Sequence, residues 1–298
     1  MQTDILVIGS GPAGMSAAQY SARAGWSTTI IDPMGPGGQL LYIDEIENYP
    51  GSEKLSGYVL SERMEKQCES FGVSMEYTRA LSIKKENNLF HTTTDEGEIV
   101  SKAVIVATGA VHRKLSVKGE EEYRGKGVSY CATCDGPFFR GKKVIVAGGG
   151  DTALTDALYL SSLCTQVVII HRRSEFRAQK VLQDRVKTTA NISLVLGDTI
   201  TEILGDGREV KGVKLKSGRE IEASGVFVFV GMTPSSEIVK DIAQTDGGYI
   251  RTDGGNRTTL PGLFAGGDVT TTSFRQVVTA ASDGARAAHS ADEYIRAL

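Results

Sequence analysis

Two cysteines separated by two residues are the side chains in this sequence with the clearest redox chemistry. Cys131-Ala132-Thr133-Cys134 has the spacing of a dithiol that cycles between thiols and a disulphide. The other two cysteines, Cys68 and Cys164, fall in segments with helical patterns, where we expect small buried hydrophobic residues. The Cys131/Cys134 pair is therefore the candidate redox group.

Zinc binding is the other chemistry that a Cys-X-X-Cys sequence supports. A second cysteine pair at ligand spacing is missing from the sequence. The histidines do not form a zinc-ligand pattern either; they are His91, His112, His171 and His289. We therefore expect no metal.

Two glycine-rich segments each follow a short apolar strand. Gly9-Ser10-Gly11-Pro12-Ala13-Gly14 comes after Ile5 to Ile8, and Gly148-Gly149-Gly150-Asp151-Thr152-Ala153 comes after Lys143 to Ala147. A glycine turn between a strand and a helix binds the pyrophosphate of a dinucleotide. The same number of positions separates Gly9 from Asp32 and Gly148 from His171, so the sequence predicts two dinucleotide-binding units in one register.

The residue after the second strand of such a unit meets the adenosine ribose, and it differs between the two copies. The carboxylate of Asp32 suits a nucleotide without a 2′-phosphate, such as FAD or NAD. The second copy has His171-Arg172-Arg173, followed by Arg177, and guanidinium groups suit a phosphate. We therefore predict NADPH at the second site, through Gly148, Gly150, Asp151, Thr152 and these basic residues; the alternative is a solvated basic stretch.

Several further residues fit a large cofactor crossing the first unit. Gly37-Gly38-Gln39, Asn48 and the Gly267-Asp268 turn fall in loops around it, and Asp268 could accept a hydrogen bond from a ribityl hydroxyl. Ser273 to Val277 has the pattern of a helix start. Its N–H groups could face the pyrimidine end of a flavin and favour the reduced anion.

Composition excludes several classes of function. The 298 residues include 40% hydrophobic and 23% charged residues, which are ordinary globular values. A formal charge of −3 gives no electrostatic case for nucleic acid or anionic lipid. No apolar run approaches the roughly 18 residues of a membrane span, and the first strand follows Met1-Gln2-Thr3 without a signal peptide. We expect a soluble cytoplasmic protein.

These elements predict an α/β fold with two Rossmann-like dinucleotide-binding domains, each a three-layer structure on a largely parallel sheet. Gly262 to Asp268 resembles a further strand ending on glycines, but it has no nucleotide fingerprint of its own. We therefore expect it to return to the first domain, so that the second is inserted. The predicted FAD-binding domain is 1–113 with 243–298, and the predicted NADPH-binding domain, with the cysteine pair, is 114–242.

Taken together, these motifs resemble the low-molecular-weight thioredoxin reductases, a branch of the flavin-dependent pyridine-nucleotide disulphide reductases. The resemblance covers essentially the whole chain, and Cys131-Ala132-Thr133-Cys134-Asp135 within the second domain is its most specific part. Two departures are mild: a glycine at 266, where alanine is usual, and Pro234-Ser235-Ser236 in place of a commoner Pro-Asn pair.

The resemblance implies FAD as prosthetic group, NADPH as donor, thioredoxin or a thioredoxin-like protein as acceptor, and a homodimer. It implies that Asp135 acts as acid and base for the thiols and that Cys134 lies nearer the flavin. The full set of residues expected to contact FAD is Gly9, Ser10, Gly11, Pro12, Ala13, Gly14, Asp32, Gly37, Gly38, Gln39, Leu40, Asn48, Gly267, Asp268, Val269, Arg275, Gln276 and Val277.

Electrons are then expected to pass from NADPH through FAD to the Cys131–Cys134 disulphide and on to thioredoxin. The dithiol and the nicotinamide site share one domain and the flavin belongs to the other. We therefore expect the NADPH domain to rotate between half-reactions, about connections near Ala110 to Leu115 and Val239 to Gln244. Alternative functions are reduction of another thioredoxin-like protein, a flavin oxidase acting on a small dithiol, and a non-enzymatic redox sensor.

Overall fold

The computed structural model describes residues 1–43 and 45–298, and this part of the chain forms two compact units. Unit 1 comprises Met1–Val111 and Thr233–Leu298, and unit 2 comprises His112–Met232. Unit 2 is thus a continuous segment inserted into unit 1. From the sequence, the crossings are expected after residues 113 and 242; in the structure the chain crosses after residues 111 and 232.

The later crossing differs because the residues between 233 and 242 pack into unit 1. Val239 is 0% exposed and Ala243 is 8% exposed, and both belong to a cluster that includes Leu6 and Ile250 of unit 1. The segment from Val239 to Gln244 therefore packs against unit 1 through its apolar residues. The second connection between the units lies at 232–233 instead.

The strands and helices follow in chain order. The strands are β1 Gln2–Ile8, β2 Thr28–Ile31, β3 Ser74–Glu76, β4 Ala80–Glu86, β5 Leu89–Thr94, β6 Gly97–Val106, β7 Ala110–His112, β8 Val128–Ser129, β9 Lys143–Gly148, β10 Gln166–His171, β11 Ile192–Leu196, β12 Ile200–Gly205, β13 Val210–Leu215, β14 Glu220–Glu222, β15 Gly225–Phe229, β16 Met232–Pro234, β17 Thr245–Asp246, β18 Tyr249–Ile250 and β19 Leu263–Ala265. The α-helices are α1 Pro12–Arg23, α2 Gly57–Ser70, α3 Ala132–Asp135, α4 Asp151–Ser161, α5 Lys180–Thr188 and α6 Val277–Arg296, and short 3-10 helices cover Gly38–Tyr42, Gly136–Phe139, Glu237–Val239 and Gly267–Val269.

Unit 1 is built on a sheet with strand order β3-β2-β1-β6-β5-β4, in which β19 also pairs with β6. Strands β3, β2, β1, β6 and β19 run parallel, whereas β4, β5 and the first half of β6 form an antiparallel meander. Alternate residues of β1 face opposite cores: Ile5 and Val7 pack with helical residues, and Leu6 and Ile8 pack with the meander. The sheet is therefore the middle layer of three.

Two helices of unit 1 pack backbone to backbone beside the glycine turn. A Cβ on Gly284 of α6 would lie 2.0 Å from the carbonyl oxygen of Ala13 in α1. The helix start predicted within Ser273 to Val277 is found at Val277, the first residue of α6. Gln276 is its N-cap, and the N–H of Gln276 donates to the Thr279 hydroxyl at 3.0 Å, a reciprocal cap that fixes the first turn there.

Unit 2 repeats this plan. Its five-stranded sheet has the order β11-β10-β9-β15-β8, all parallel, and β12, β13 and β14 form the antiparallel meander. Val144 and Val146 of β9 pack with α4, while Ile145 and Ala147 pack with the meander side. The predicted α/β fold with two largely parallel, three-layer dinucleotide-binding domains is confirmed.

Candidate functional site

The cysteine pair of unit 2 is closed as a disulphide. Cys131 and Cys134 are bonded, with their Cα atoms 5.3 Å apart. Cys131 caps α3, and the backbone N–H of Cys134 donates to its sulphur at 3.2 Å. The hydroxyl of Thr133 lies 3.5 Å from the same sulphur. After reduction, these polar contacts would stabilise a thiolate at Cys131.

A serine that sequence reasoning missed connects the disulphide to Asp135. The hydroxyl of Ser129 donates to Oδ2 of Asp135 at 2.5 Å and accepts from the backbone N–H of Cys131 at 3.1 Å. Ser129 is buried at the end of β8. The carboxylate predicted to be the acid and base is thus fixed relative to the backbone of the redox pair.

A buried carboxylate, also missed from the sequence, holds the segment before Cys131. Glu120 is 1% exposed and accepts from the backbone N–H groups of Leu115 and Ser116, at 2.8 and 2.7 Å. It also accepts from the Tyr130 hydroxyl at 2.9 Å. Burial, together with the Glu120 carboxylate, raises the pKa of Tyr130 above its ordinary value, so this phenol stays protonated as a donor.

The glycine turn of unit 1 is crowded on its protein side and open on the other. A Cβ at Gly14 would lie 1.8 Å from the carbonyl oxygen of Gly9, and one at Gly9 would lie 2.4 Å from that of Ala107. At Gly11, the N-cap of α1, an added Cβ would meet nothing within 4 Å. The open side is therefore the one that a phosphate can approach, at the N-terminus of a 12-residue helix.

Asp32 is fixed at the end of β2 by the same turn. Its Oδ2 accepts from the backbone N–H and the hydroxyl of Ser10, both at 2.9 Å. Its Oδ1 accepts from the N–H of Met34 at 2.9 Å. The carboxylate therefore stands beside the glycine turn, where the predicted ribose contact requires it.

Most of the other residues predicted to bind FAD are also linked within unit 1. The Nδ2 group of Asn48 donates to Oε1 of Gln276 at 3.1 Å, and the Nε2 group of Gln39 donates to the carbonyl of Ala110. Gly37 and Gly38 have φ angles of 123° and 54°, which only glycine adopts readily. Leu40 and Val269 are buried. The structure thus brings together residues that are distant in the sequence.

Asp268 and Arg275 carry the charges of this group. Burial raises the pKa of Asp268, and the Arg275 guanidinium opposes this rise. Arg275 lies over the ring of Tyr249, at 4.6 Å from its centroid, and its buried Nε has no hydrogen-bond partner in the part of the chain that the structure describes. A buried donor without a partner costs free energy, which a hydrogen-bond acceptor on a bound ligand would recover at Arg275 Nε.

The glycine turn of unit 2 has the same open position but a different neighbour. A Cβ at Gly150, the N-cap of α4, would meet nothing within 4 Å. A Cβ at Gly149 would lie 2.4 Å from Nδ1 of His171, so the imidazole packs directly against the turn. His171 is 7% exposed and stacks on Phe176 at 5.8 Å.

The charge of the predicted 2′-phosphate site comes from arginines. Burial lowers the pKa of His171, and the charges of Arg177, Arg173 and Arg172 lower it further. The imidazole is therefore neutral at pH 7, and its buried Nε2 has no hydrogen-bond partner among the described residues. All three arginines are exposed. Both glycine turns and their neighbours thus fit a dinucleotide, and the second also fits an added phosphate.

The described residues offer neither a membrane span nor a metal cluster. None of the helices there is long and apolar enough to cross a membrane. Within residues 1–43 and 45–298, histidine, cysteine and carboxylate side chains form no group of three that could hold a metal ion.

Comparison with known proteins gives matches along the whole chain. The family described as pyridine nucleotide-disulphide oxidoreductase matches residues 3–284. A thioredoxin reductase of Treponema pallidum is 45% identical over 99% of this chain and 98% of its own length. One from Listeria monocytogenes is 42% identical over 99% of this chain and 94% of its own length.

Solved structures give the same result. The thioredoxin reductase of Streptococcus pyogenes is 42% identical and superposes with a TM-score of 0.94 over 100% of this chain and 99% of that one. The Lactococcus lactis thioredoxin reductase, described as the FR conformation, is also 42% identical, with a TM-score of 0.69 over 99% of this chain and 100% of that one.

Proposed function

Because the chain belongs to the pyridine nucleotide-disulphide oxidoreductase family, we propose that it reduces the disulphide of thioredoxin with electrons from NADPH. The predicted class, an oxidoreductase enzyme, and the predicted cofactors, FAD and NADPH, are confirmed by this family and by the thioredoxin reductases that match along the chain. The single observation that carries the proposal is the Cys131–Cys134 disulphide, which lies in the same unit as a glycine turn with an arginine cluster.

The two cofactors belong to different units in this proposal. Unit 1 would hold FAD, since Asp32 suits an unphosphorylated ribose and Gly11 leaves room for the pyrophosphate. Asp268, the unpaired Nε of Arg275, and Gln276 would contact the rest of it. Unit 2 would hold NADPH at Gly150, with Arg172, Arg173 and Arg177 toward the 2′-phosphate.

When bound, FAD carries an electron pair between a nicotinamide and a disulphide. The chain's own residues perform the later exchange. Reduction with two electrons converts Cys131–Cys134 to one thiolate and one thiol. The thiolate attacks one sulphur of the thioredoxin disulphide, and the other thioredoxin sulphur leaves as a thiolate. The second cysteine then loses its proton and attacks the mixed disulphide, which re-forms Cys131–Cys134 and releases reduced thioredoxin.

Asp135 would handle the proton of that second step. Its carboxylate is held by Ser129 and directly follows Cys134 in the chain. It would accept the proton of the second thiol and deliver it to the departing thioredoxin thiolate. Cys131 would be the better stabilised thiolate, because Cys134 N–H and the Thr133 hydroxyl surround its sulphur.

Unit 2 must present two groups in turn, its disulphide and the nicotinamide of its cofactor, to one flavin held by unit 1. We infer that unit 2 rotates about the crossings at residues 111–112 and 232–233, which lie in β7 and β16. The two solved relatives of equal identity but different TM-score support variable domain orientation within the family. A disulphide engineered between the units that left turnover unchanged would contradict this rotation.

The proposed function is tested by following NADPH oxidation at 340 nm with and without oxidised thioredoxin. The wild type should oxidise NADPH rapidly only when thioredoxin is present, and Cys134→Ser should abolish this dependence. Cys68→Ser and Cys164→Ser are matched controls, since both residues are buried free cysteines and should leave the rate unchanged. Flavin reduction without transfer to thioredoxin would reject thioredoxin as acceptor and point to another disulphide.

We also propose a homodimer formed through unit 1 and a cytoplasmic location. Most large hydrophobic side chains that are exposed belong to unit 1, among them Leu41, Tyr42 and Tyr58 around the start of α2. A dithiol that must return to its reduced form suits a reducing compartment. Light scattering during size-exclusion chromatography should give twice the 31.8 kDa chain mass, and a monomer would reject the dimer.

A further inference from the structure

The loop that carries the three arginines is tied to the glycine turn at two points. It runs from the end of β10 at His171 to the start of α5 at Lys180. The backbone N–H of Arg177 donates to the carbonyl of Gly149 at 2.9 Å. The backbone N–H of Gln179 donates to Oδ1 of Asp151 at 2.7 Å, and its Nε2 lies 3.4 Å from Oδ2.

Asp151 is a surprising residue at its position. It is the first residue of α4, next to Gly150, where the open side of the turn can receive the phosphates of a dinucleotide. A carboxylate at that place repels those phosphates. Pro12 occupies the matching position of α1 in unit 1, so the fold does not require an acid there. The helix dipole favours a carboxylate in the first turn, and at this position the carboxylate also accepts a hydrogen bond from Gln179.

We propose that Asp151 is a positioning residue for coenzyme selectivity: by holding Gln179, it fixes the arginine loop in the arrangement that receives the 2′-phosphate of NADPH. The inference rests on the proposed function, in which NADPH is the donor. It assigns the Asp151 carboxylate a role through the loop rather than through a contact with the cofactor. An acid that acts in this way should favour the phosphorylated coenzyme, although its own charge opposes phosphate.

Removal of the Asp151 carboxylate should change the affinity for NADP⁺ in the direction opposite to that expected from charge repulsion alone. If Asp151 only repels the cofactor, its removal should tighten both NADP⁺ and NAD⁺. If it holds the arginine loop, removal should weaken NADP⁺ and leave NAD⁺ nearly unchanged. Asn at this position keeps an oxygen that can accept from the Gln179 N–H, so it separates the loss of charge from the loss of the hydrogen bond.

A second variant removes the donor instead of the acceptor. Gln179 is the N-cap of α5, with φ −56° and ψ 144°, which proline can adopt. Gln179→Pro therefore deletes the N–H while Asp151 stays in place. If the two residues act through their hydrogen bond, the single variants and the double variant should all lose about the same affinity.

The test is isothermal titration of the FAD-loaded oxidised enzyme with NADP⁺ and with NAD⁺. Asp151→Ala and Gln179→Pro should each weaken NADP⁺ by about 5- to 20-fold and NAD⁺ by less than about 2-fold, while Asp151→Asn should stay within about 3-fold of the wild type. Tighter binding of both coenzymes by Asp151→Ala, or equal losses for both, would overturn the proposal. So would additive losses in the double variant.

Thermal unfolding and flavin content of each variant, measured on the same preparations, show whether the fold is intact. The wild type is titrated first, so that the proposed function is judged separately. Failure of the wild type to prefer NADP⁺ would count against NADPH as the donor, and the role of Asp151 would fall with it. A loss confined to the variants bears on Asp151 alone.

Discussion

Unit 1 and unit 2 anchor the loop after their second strand by the same backbone bond but by different side chains. Gly37 N–H donates to the carbonyl of Ser10, and Arg177 N–H donates to that of Gly149, both at 2.9 Å. In unit 1 the buried Ser10 hydroxyl lies within hydrogen-bond distance of both Asp32 and the carbonyl of Gly35, to either of which it can donate its one proton. In unit 2 the position has no side chain, and the imidazole of His171 takes the space.

The features that the two units share belong to the dinucleotide-binding fold, and the side chains that differ reflect the ligand that each unit binds. The backbone bond and the open glycine at the helix N-cap are common to both units, so they serve any dinucleotide. The anchoring Ser10 is buried in unit 1, whereas the anchoring Asp151 and Gln179 of unit 2 are exposed. A buried anchor suits a cofactor that stays bound, and an exposed one suits a coenzyme that exchanges at every turnover.

The largest effect is expected where the two turns tolerate different side chains. Gly14 and Ala153 occupy matching positions, but a Cβ at Gly14 would lie 1.8 Å from the Gly9 carbonyl oxygen. Gly14→Ala should destabilise unit 1 by about 3 kcal/mol and lower the bound FAD, measured by thermal unfolding and by the ratio of flavin to protein absorbance. Ala153→Gly is the control and should cost about 1 kcal/mol in unit 2. Equal effects would show that the turns are interchangeable.

A coenzyme measurement tests whether the arginines of unit 2 select for a 2′-phosphate, as Asp32 of unit 1 is expected to select against one. Arg172→Ala removes one charge-assisted contact of about 1.5–3 kcal/mol, so kcat/KM for NADPH should fall by about 10- to 100-fold. NADH should barely change, because it has no 2′-phosphate. Arg185→Ala, on the last turn of α5, is a control outside the cluster. If NADPH and NADH lost equally, Arg172 would serve only the fold.

The two glycine-turn helices also differ in their middle turn, where Ala17 of α1 is fully buried and the matching residue of α4 is Asp156. Burial raises the pKa of Asp156 to about 6. A carboxyl whose folded pKa exceeds its unfolded value, about 3.9, destabilises the fold once it ionises. Its cost is therefore absent below about pH 4, grows between about pH 4 and pH 6, where the unfolded state is ionised and the folded state is still protonated, and is complete above about pH 6.

Asp156→Asn should consequently raise the free energy of unfolding of unit 2 by about 1–2 kcal/mol at pH 7.5, after allowance for partial solvent screening, and by almost nothing at pH 4. Urea unfolding at several pH values measures this. Asp184→Asn on α5 is an exposed control, since its ion pair with Lys180 is at the surface. A pH-independent gain would mean that the amide packs better, without any contribution from ionisation.

The smallest effect is expected for the Ser10 hydroxyl, which is the side-chain anchor of unit 1 that unit 2 lacks. Ser10→Ala removes the hydroxyl proton that Asp32 and the Gly35 carbonyl share but leaves the Ser10 backbone bond to Asp32, so the loss should be about 1 kcal/mol, or about 5-fold in the dissociation constant of FAD. Ser16→Ala, which removes a hydroxyl bond from α1 to Ala281, is the matched control. Fluorescence titration of the apoprotein with FAD measures both, and equal losses would remove any special role for Ser10.

The sequence predicted the two strand–turn–helix–strand segments well, because the pattern that indicates each of them lies within about 30 residues. The strand, turn, helix and strand around Gly9 and around Gly148 recur in the structure with their ends shifted by a few residues. The β4–β5 hairpin was missed although it had a signal: Asn87 and Asn88 adopt positive φ angles of 47° and 65° in its two-residue turn. Asparagine pairs between alternating residues favour such hairpins.

What the sequence did not predict depends on contacts between distant segments. Nothing in the sequence around Glu120 distinguishes it from a surface glutamate. It is the fold that buries it against Leu115, Ser116 and Tyr130. The role of Asp151 depends likewise on Gln179, which comes close only when the arginine loop folds back. The sequence predicted a helix start within Ser273 to Val277, but the first helical residue, Val277, is set by the cap between Gln276 and Thr279.

The inserted topology has a consequence for how the protein is made. Unit 2 is one continuous segment, so all of its strands have left the ribosome when residue 232 emerges. Unit 1 lacks β19, which pairs with β6, and α6, which covers α1, until the last part of the chain is synthesised. Unit 1 therefore completes its fold after unit 2, although its first strands come earlier in the chain.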